Sequence, residues 1–373
     1  MGAYSRAFWP AAIALLAAVS LLAWLRGENP LAEGPQLQNA LVTKSLWHDH
    51  TLALASYRAA ADQYLEFSKG GDAIIQDAFA LDADGRFVPK HSLLTAWLAL
   101  PLYALFGNFG FWLFNQAMLL AALGALRVLV RRVLGQDPGL VLLLLVFGLT
   151  QTGAYIFGFH YDVTALALVL VGFALLPAAP FWGMAILMLA AHIRVTSLLL
   201  APPLLLATPT SPRRLLHAAL GAGLVLGLLL MQQAWLWGHP LRTAYHSLPM
   251  FVDGAMVVEP HPLGLSLDVF AADWHEKLFG VNVGLLRWNS VLLLLPVAWL
   301  VCVRHPARRF FAWTAAALLV QFVVIFSYPA WNASHLGNRF LFPAIYLALP
   351  PILLLLQTSL RRMTPEGHNQ VPG

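Results

Sequence analysis

The chain has 373 residues, of which 60% are hydrophobic and only 10% are Asp, Glu, Lys or Arg, against about 25% charged in soluble globular domains. So few charges cannot cover a water-soluble fold of this length, which excludes one. The net charge of +5 does not point to nucleic acid, because the basic residues form short clusters at the ends of apolar runs rather than a stripe. The single cysteine, Cys302, excludes an internal disulfide, a cysteine-based zinc site and a CxxC redox motif.

A bilayer core of about 30 Å takes about 20 apolar residues per helix. The first apolar run, 7–25, follows Arg6 and has no small-residue cleavage motif after it, so an uncleaved signal anchor is expected there. Further spans are expected at 109–130, 140–157, 163–176, 181–191, 195–207, 217–235, 283–303, 310–326 and 340–357. The result is an all-α, polytopic membrane helical bundle of about ten spans, a single transmembrane domain over residues 1–373 with no internal repeat.

Basic residues set the orientation. With the N-terminus cytoplasmic, Arg6, Arg127, Arg131, Arg132, Arg213, Arg214, Arg304, Arg308, Arg309, Arg361 and Arg362 all fall inside, with only Asp137 and Glu366 as acids on that side. The apolar stretch 93–106 contains Pro101 and is short, and crossing there would put Arg127, Arg131 and Arg132 outside. It is therefore expected as an interfacial helix. Conversely, 181–207 must cross twice, broken near His192 and Arg194. Both termini are then cytoplasmic, with a tail at 358–373. The long first outer loop, 26–108, and a second, 238–282, form a polar outer crown.

Within the first loop, residues 46–51 (Leu-Trp-His-Asp-His-Thr) are expected to open a helix over 52–67. Asp49 there is either a helix N-cap or a catalytic carboxylate, and Asp162, at the start of the fourth span, has the same alternatives. His48, Asp49 and His50 as metal ligands would need a turn geometry, since neighbouring positions do not share a helix face. Arg194 lies near membrane depth, where a charge costs several kcal/mol unless paired or hydrated. It is either an ion-pair partner of Asp162 or an anion ligand. Arg339, opening the last span, either snorkels to the interface or binds an anion. A guanidinium suits phosphate, which accepts its paired donors, and Lys90 and His91 offer further donors.

Taken in order, several blocks resemble the GT-C superfamily of membrane glycosyltransferases, which use polyprenyl-phosphate sugars. They are Trp47-His48-Asp49-His50 early in the first loop, Lys90-His91-Ser92-Leu93-Leu94 leading to Ala99-Leu100-Pro101-Leu102-Tyr103-Ala104-Leu105-Phe106-Gly107, Tyr161-Asp162, and His192-Ile193-Arg194. Two more are Leu278-Phe279-Gly280 through Arg287-Trp288-Asn289-Ser290, and Tyr328-Pro329-Ala330-Trp331 through Asn338-Arg339-Phe340 to Pro343-Ala344. The chain departs from the pattern at His50, where many relatives carry a second acid, and at Asn338, where many have Gly-Pro.

The resemblance implies inverting transfer of a sugar from a polyprenyl-phosphate carrier to an acceptor hydroxyl. Asp49 would be the base, Asp162 a second carboxylate, and Arg339 the centre of a phosphate clamp with Arg194, Lys90, His91 and His50. No cofactor is expected, and a divalent metal is left open. The expected partners are the sugar-carrying lipid, membrane lipids and an acceptor glycan, lipid or protein, but no nucleic acid. The expected location is the inner (plasma) membrane, with the site on the periplasmic or extracellular face. A transporter or flippase of a lipid-linked or anionic solute is the alternative.

Overall fold

A computed structural model describes residues 7–26, 34–52, 79–90, 92–208, 211–244, 248–252, 255–259, 265–329 and 338–363. Two helices lead: α1 (Phe8–Leu25) and α2 (Gly34–His48). A hairpin of β1 (Phe79–Leu81) and β2 (Phe87–Pro89) is followed by α3 (Leu94–Phe106), α4 (Asn108–Leu134) and α5 (Gly139–Leu149), the last extended by a 3-10 turn, Gln151–Tyr155. The next hairpin is helical: α6 (Tyr161–Leu175) and α7 (Pro180–Ile193), then a 3-10 turn, Val195–Leu200, with α8 (Ala201–Leu206). After the long α9 (Pro212–Trp237) come β3 (Leu248–Val252), β4 (Ala255–Glu259), α10 (Leu267–Ala271) and α11 (Trp274–Phe279). The chain closes with α12 (Leu285–Trp288), a 3-10 turn, Ser290–Leu294, α13 (Leu295–Cys302), α14 (Arg308–Ser327), a 3-10 turn, Arg339–Leu341, α15 (Phe342–Leu347) and α16 (Leu349–Met363).

By length and apolarity α1, α4, α9 and α14 can each cross a bilayer, and the segments Arg339–Leu347 and Leu349–Ser359, bent by 41° at their junction, together have the length and apolarity of a broken span or a re-entrant loop. The other apolar helices hold 10–17 residues each, short of a full crossing. The expected spans 140–157 and 283–303 are divided at Thr150 after α5 and at Asn289 after α12, and the break expected near Arg194 is present after α7. The protein is a multi-pass membrane protein, with four or five helical segments among the described residues long and apolar enough to cross a bilayer unaided.

The expectation of a purely helical fold is corrected by the two antiparallel hairpins. In the first, Phe79 pairs with Pro89 and Leu81 with Phe87; in the second, Leu248 pairs with Glu259. Both fall in the segments expected as outer loops, where backbone groups are not obliged to close within one helix. The Asp82 carboxylate closes the first turn, accepting from the Asp84 and Arg86 amides at 2.9 and 2.8 Å and from Arg86 Nε at 2.8 Å. Helix formation at 46–48 is also corrected: these residues end α2 rather than opening a helix, and 53–67 lie outside the described residues. The helix expected over 93–106 is present as α3.

The core lies among α1, α4, α5, α6, α7 and α16. Membrane helices gain from close backbone approach where small residues face each other, and the α6–α7 hairpin uses this. A Cβ on Gly183 would sit 2.6 Å from the Leu176 amide nitrogen, and one on Gly172 would sit 2.8 Å from the Gly183 carbonyl oxygen. The non-helical stretch after α5 is covered by amide side chains of α4. Asn115 Nδ2 donates to the Tyr155 and Ile156 carbonyls at 2.9 and 3.2 Å, and Gln116 Nε2 to Ile156 at 2.5 Å. Asn115 Oδ1 accepts from the His160 amide at 3.3 Å.

Candidate functional site

Because α6 and α7 run antiparallel, the first turn of one and the last turn of the other meet at the same end. Asp162 lies in the first turn of α6, two residues after its N-cap, His160. It is thus not the N-cap itself, but a carboxylate there is favoured by the helix dipole. Arg194 follows the last turn of α7 in an extended conformation. Arg194 Nε donates to Asp162 Oδ1 at 2.6 Å, and an Nη group to the Tyr161 hydroxyl at 2.7 Å. Of the two sequence alternatives for Arg194, the ion pair with Asp162 is present.

Arg339 reaches the same place from the other end of the chain. Asn338 adopts a left-handed conformation (φ 61°, ψ 75°) and turns the backbone into the 3-10 segment. Arg339 Nε lies 3.6 Å from Asp162 Oδ2. The carboxylate is 3% exposed, and the Arg194 and Arg339 side chains are 15% and 10% exposed. Both guanidiniums lie against the Tyr161 and Phe340 rings, Arg194 at 4.4 Å from each centroid and Arg339 at 5.9 Å. Among the described residues, two guanidiniums thus flank one buried carboxylate, each against the same two rings.

The first outer segment is tied to this cluster. His192 bonds Gln232 Oε1 of α9 through Nε2 at 2.7 Å and Ser92 Oγ through Nδ1 at 2.6 Å. A glutamine carbonyl only accepts, so Nε2 carries the proton and Nδ1 accepts from the serine. Leu94 packs against Tyr161, Ala165 and Ile193. Lys90, half-buried, directly follows β2 and lies two residues before Ser92. His91 lies outside the described residues.

Asp49 and His50 sit at the end of α2. Asp49 is exposed, its amide donating to the Ser45 carbonyl at 2.9 Å, as a helix C-terminus does. This position replaces the N-cap alternative. His50 takes φ 52° and its Nδ1 lies 3.3 Å from the Leu46 carbonyl. An aromatic column joins this end to the cluster: His48 Nε2 lies 3.0 Å from the Tyr103 hydroxyl, Tyr103 stacks on Phe111 at 5.0 Å, and Phe111 on Phe159 at 4.7 Å. Phe159 immediately precedes the His160–Asp162 start of α6. Among the described residues no three His, Cys, Asp or Glu side chains come together as a metal site.

Three polar arrangements were not anticipated. Asn289, at the break after α12, exchanges hydrogen bonds with Gln151: its Oδ1 accepts from the Gln151 amide at 3.0 Å and its Nδ2 donates to Gln151 Oε1 at 3.2 Å. Thr152 Oγ1 lies 2.8 Å from the Tyr346 hydroxyl. Lys277, fully buried, donates through Nζ to the Val269, Phe270 and Ala272 carbonyls at the end of α10, with the Trp274 ring 5.4 Å away. Burial pushes its pKa down. Polar residues inside apolar runs were the available signal for the first two.

No protein-family model matches the sequence, and no curated protein sequence does either. Solved structures do match in three dimensions. ArnT from Cupriavidus metallidurans bound to undecaprenyl phosphate superposes with a TM-score of 0.56 at 13% identity, over 95% of this chain and 60% of that one. The apo form of the same protein superposes with a TM-score of 0.55 at 15% identity, with the same coverage. The chain thus spans about 60% of the length of ArnT. The chain therefore shares its fold with ArnT over 95% of its length.

Proposed function

We propose that this protein transfers a sugar from a polyprenyl-phosphate carrier to an acceptor hydroxyl at the outer face of the inner membrane, with both termini cytoplasmic. The observation that carries the reading is the buried cluster of two guanidiniums, Arg194 and Arg339, around Asp162, in a fold shared with a protein solved with undecaprenyl phosphate. Guanidiniums offer a phosphate paired N–H donors and positive charge where charge develops on the leaving group.

In the proposed step the acceptor oxygen attacks the anomeric carbon and loses its proton to the Asp49 carboxylate. The bond from that carbon to the phosphate oxygen breaks, and the electron pair leaves on the lipid phosphate, inverting the sugar. Arg339 and Arg194 stabilise the departing charge, with Lys90, His91 and His50 as further donors from the first outer segment. Removing one such donor typically costs about 10²–10³-fold in rate. Asp162 acts here by holding the two guanidiniums; its two oxygens already face them.

The test uses purified protein in lipid nanodiscs with undecaprenyl-phosphate-linked glucose, mannose or arabinose and mixed membrane acceptors. Asp49→Asn is expected to abolish transfer while leaving binding of undecaprenyl phosphate intact. Arg339→Ala is expected to weaken that binding at least tenfold. Movement of the lipid across the bilayer without bond cleavage would place the chain among transporters instead.

A further inference from the structure

The turn that carries Arg339 holds polar groups that the protein itself leaves unmet. Asn338 is fully buried, and neither its Oδ1 nor its Nδ2 makes a hydrogen bond. Its backbone is well used, since its carbonyl accepts from the Leu341 amide at 2.9 Å, so the amide side chain is not needed to close the turn. Gln321 of α14, 1% exposed, donates Nε2 to the Phe340 carbonyl at 3.1 Å, which fixes its amide against the same turn. Its Oε1 has no partner. Two buried acceptors and one donor group therefore lie on or against the turn that carries Arg339. Buried amide atoms in native structures are nearly always satisfied by protein, water, an ion or a ligand, and three such unmet atoms beside one turn single this place out.

The chemistry of that ligand follows from the donor and acceptor count. A phosphate has only acceptors, and would satisfy Asn338 Nδ2 while leaving Oδ1 and Gln321 Oε1 stranded. A sugar hydroxyl donates and accepts through one oxygen, so a pair of hydroxyls satisfies both ends of the Asn338 amide and the Gln321 oxygen. Resting on the reading of the previous section, we propose that Asn338, with Gln321 behind it, recognises hydroxyl groups of the sugar carried on the lipid phosphate. The Arg cluster then binds the phosphate common to all donors, and Asn338 distinguishes a loaded carrier from an empty one. Asparagine suits the position because it tolerates a left-handed backbone while supplying a full amide.

The experiment compares dissociation constants for undecaprenyl phosphate and for its glucose-, mannose- and arabinose-bearing forms in wild type and Asn338→Gly. Glycine takes the same backbone conformation without an amide. The expected result is about tenfold weaker binding of the sugar-bearing lipid that wild type prefers, as loss of about 1.4 kcal/mol would give, with bare undecaprenyl phosphate within twofold. Gln321→Met keeps side-chain length and removes both the unmet oxygen and the donor to the Phe340 carbonyl; it is expected to give the same split if the glycine variant does not fold. Equal weakening of bare and loaded lipid, or no weakening of either, overturns the role of Asn338 while leaving the lipid-donor reading standing. Wild-type protein that binds none of the four lipids overturns both, and is recognised before any variant is made.

Discussion

Replacing Asp162 by Asn preserves shape but removes the carboxylate that Arg194 and Arg339 share. The side chain is 3% exposed, 2.6 Å from one guanidinium and 3.6 Å from the other. Unit charges about 4 Å apart attract by about 4 kcal/mol at an effective dielectric constant of about 20. Losing one partner of a buried pair costs about 3–5 kcal/mol. The asparagine oxygen can still accept from Arg194, which favours the lower value, about 3 kcal/mol, or more than a hundredfold in the folded-to-unfolded ratio. The thirteen tryptophans allow thermal unfolding in detergent to be followed by intrinsic fluorescence, and the midpoint is expected to fall by about 5–10 °C. The double variant Asp162→Asn/Arg194→Met is expected to recover about half of that loss, because one of the two guanidiniums goes with it. Phosphate affinity of Asp162→Asn should hold or rise, since positive charge increases. A coupling energy under about 0.5 kcal/mol between the two positions would refute the claim that this carboxylate holds the arginines.

Three further outcomes follow from the packing. Gly183→Ala places a methyl carbon 2.6 Å from the Leu176 nitrogen, so α7 must move off α6; about 1–3 kcal/mol of stability and part of the phosphate affinity should be lost together, measured on one preparation. Lys277→Met deprives three carbonyls at the end of α10 of their donor; hydrogen exchange should quicken across α10 and α11, at a cost of about 1–3 kcal/mol, while α6 and α7 stay protected. His192→Leu removes the acceptor of Ser92, and proteolysis between β2 and α3 should accelerate while the Arg194–Asp162 pair is retained.

The membrane character and most helix positions were legible because apolar runs bounded by arginine clusters leave few alternatives, as at α4 with Arg127, Arg131 and Arg132. The pairing of Asp162 with Arg194 was legible as one of two alternatives, since a short helical hairpin returns its end to its start. The break near Arg194 was legible too, from a charge inside an apolar run. The breaks at Thr150 and Asn289 were not, because hydropathy averages across single uncharged polar residues. The β hairpins were missed because strands of three to five residues offer too few positions for alternation to register. Asp49 directly follows a helix over 34–48 that was not expected, and the helix expected after it, over 52–67, lies outside the described residues. The Ser92–His192–Gln232 chain joins positions 140 residues apart in sequence, and nothing local announces it.

The amides of Asn115 and Gln116 have a consequence for biogenesis. They supply donors to carbonyls that no helix satisfies after the 3-10 turn at residue 155, and hydrocarbon supplies none. That stretch therefore cannot settle in lipid ahead of α4, and α4 cannot rotate this face toward acyl chains afterwards. A substitution that strips these amides is therefore expected to show itself first as a lower yield of membrane-integrated protein during synthesis.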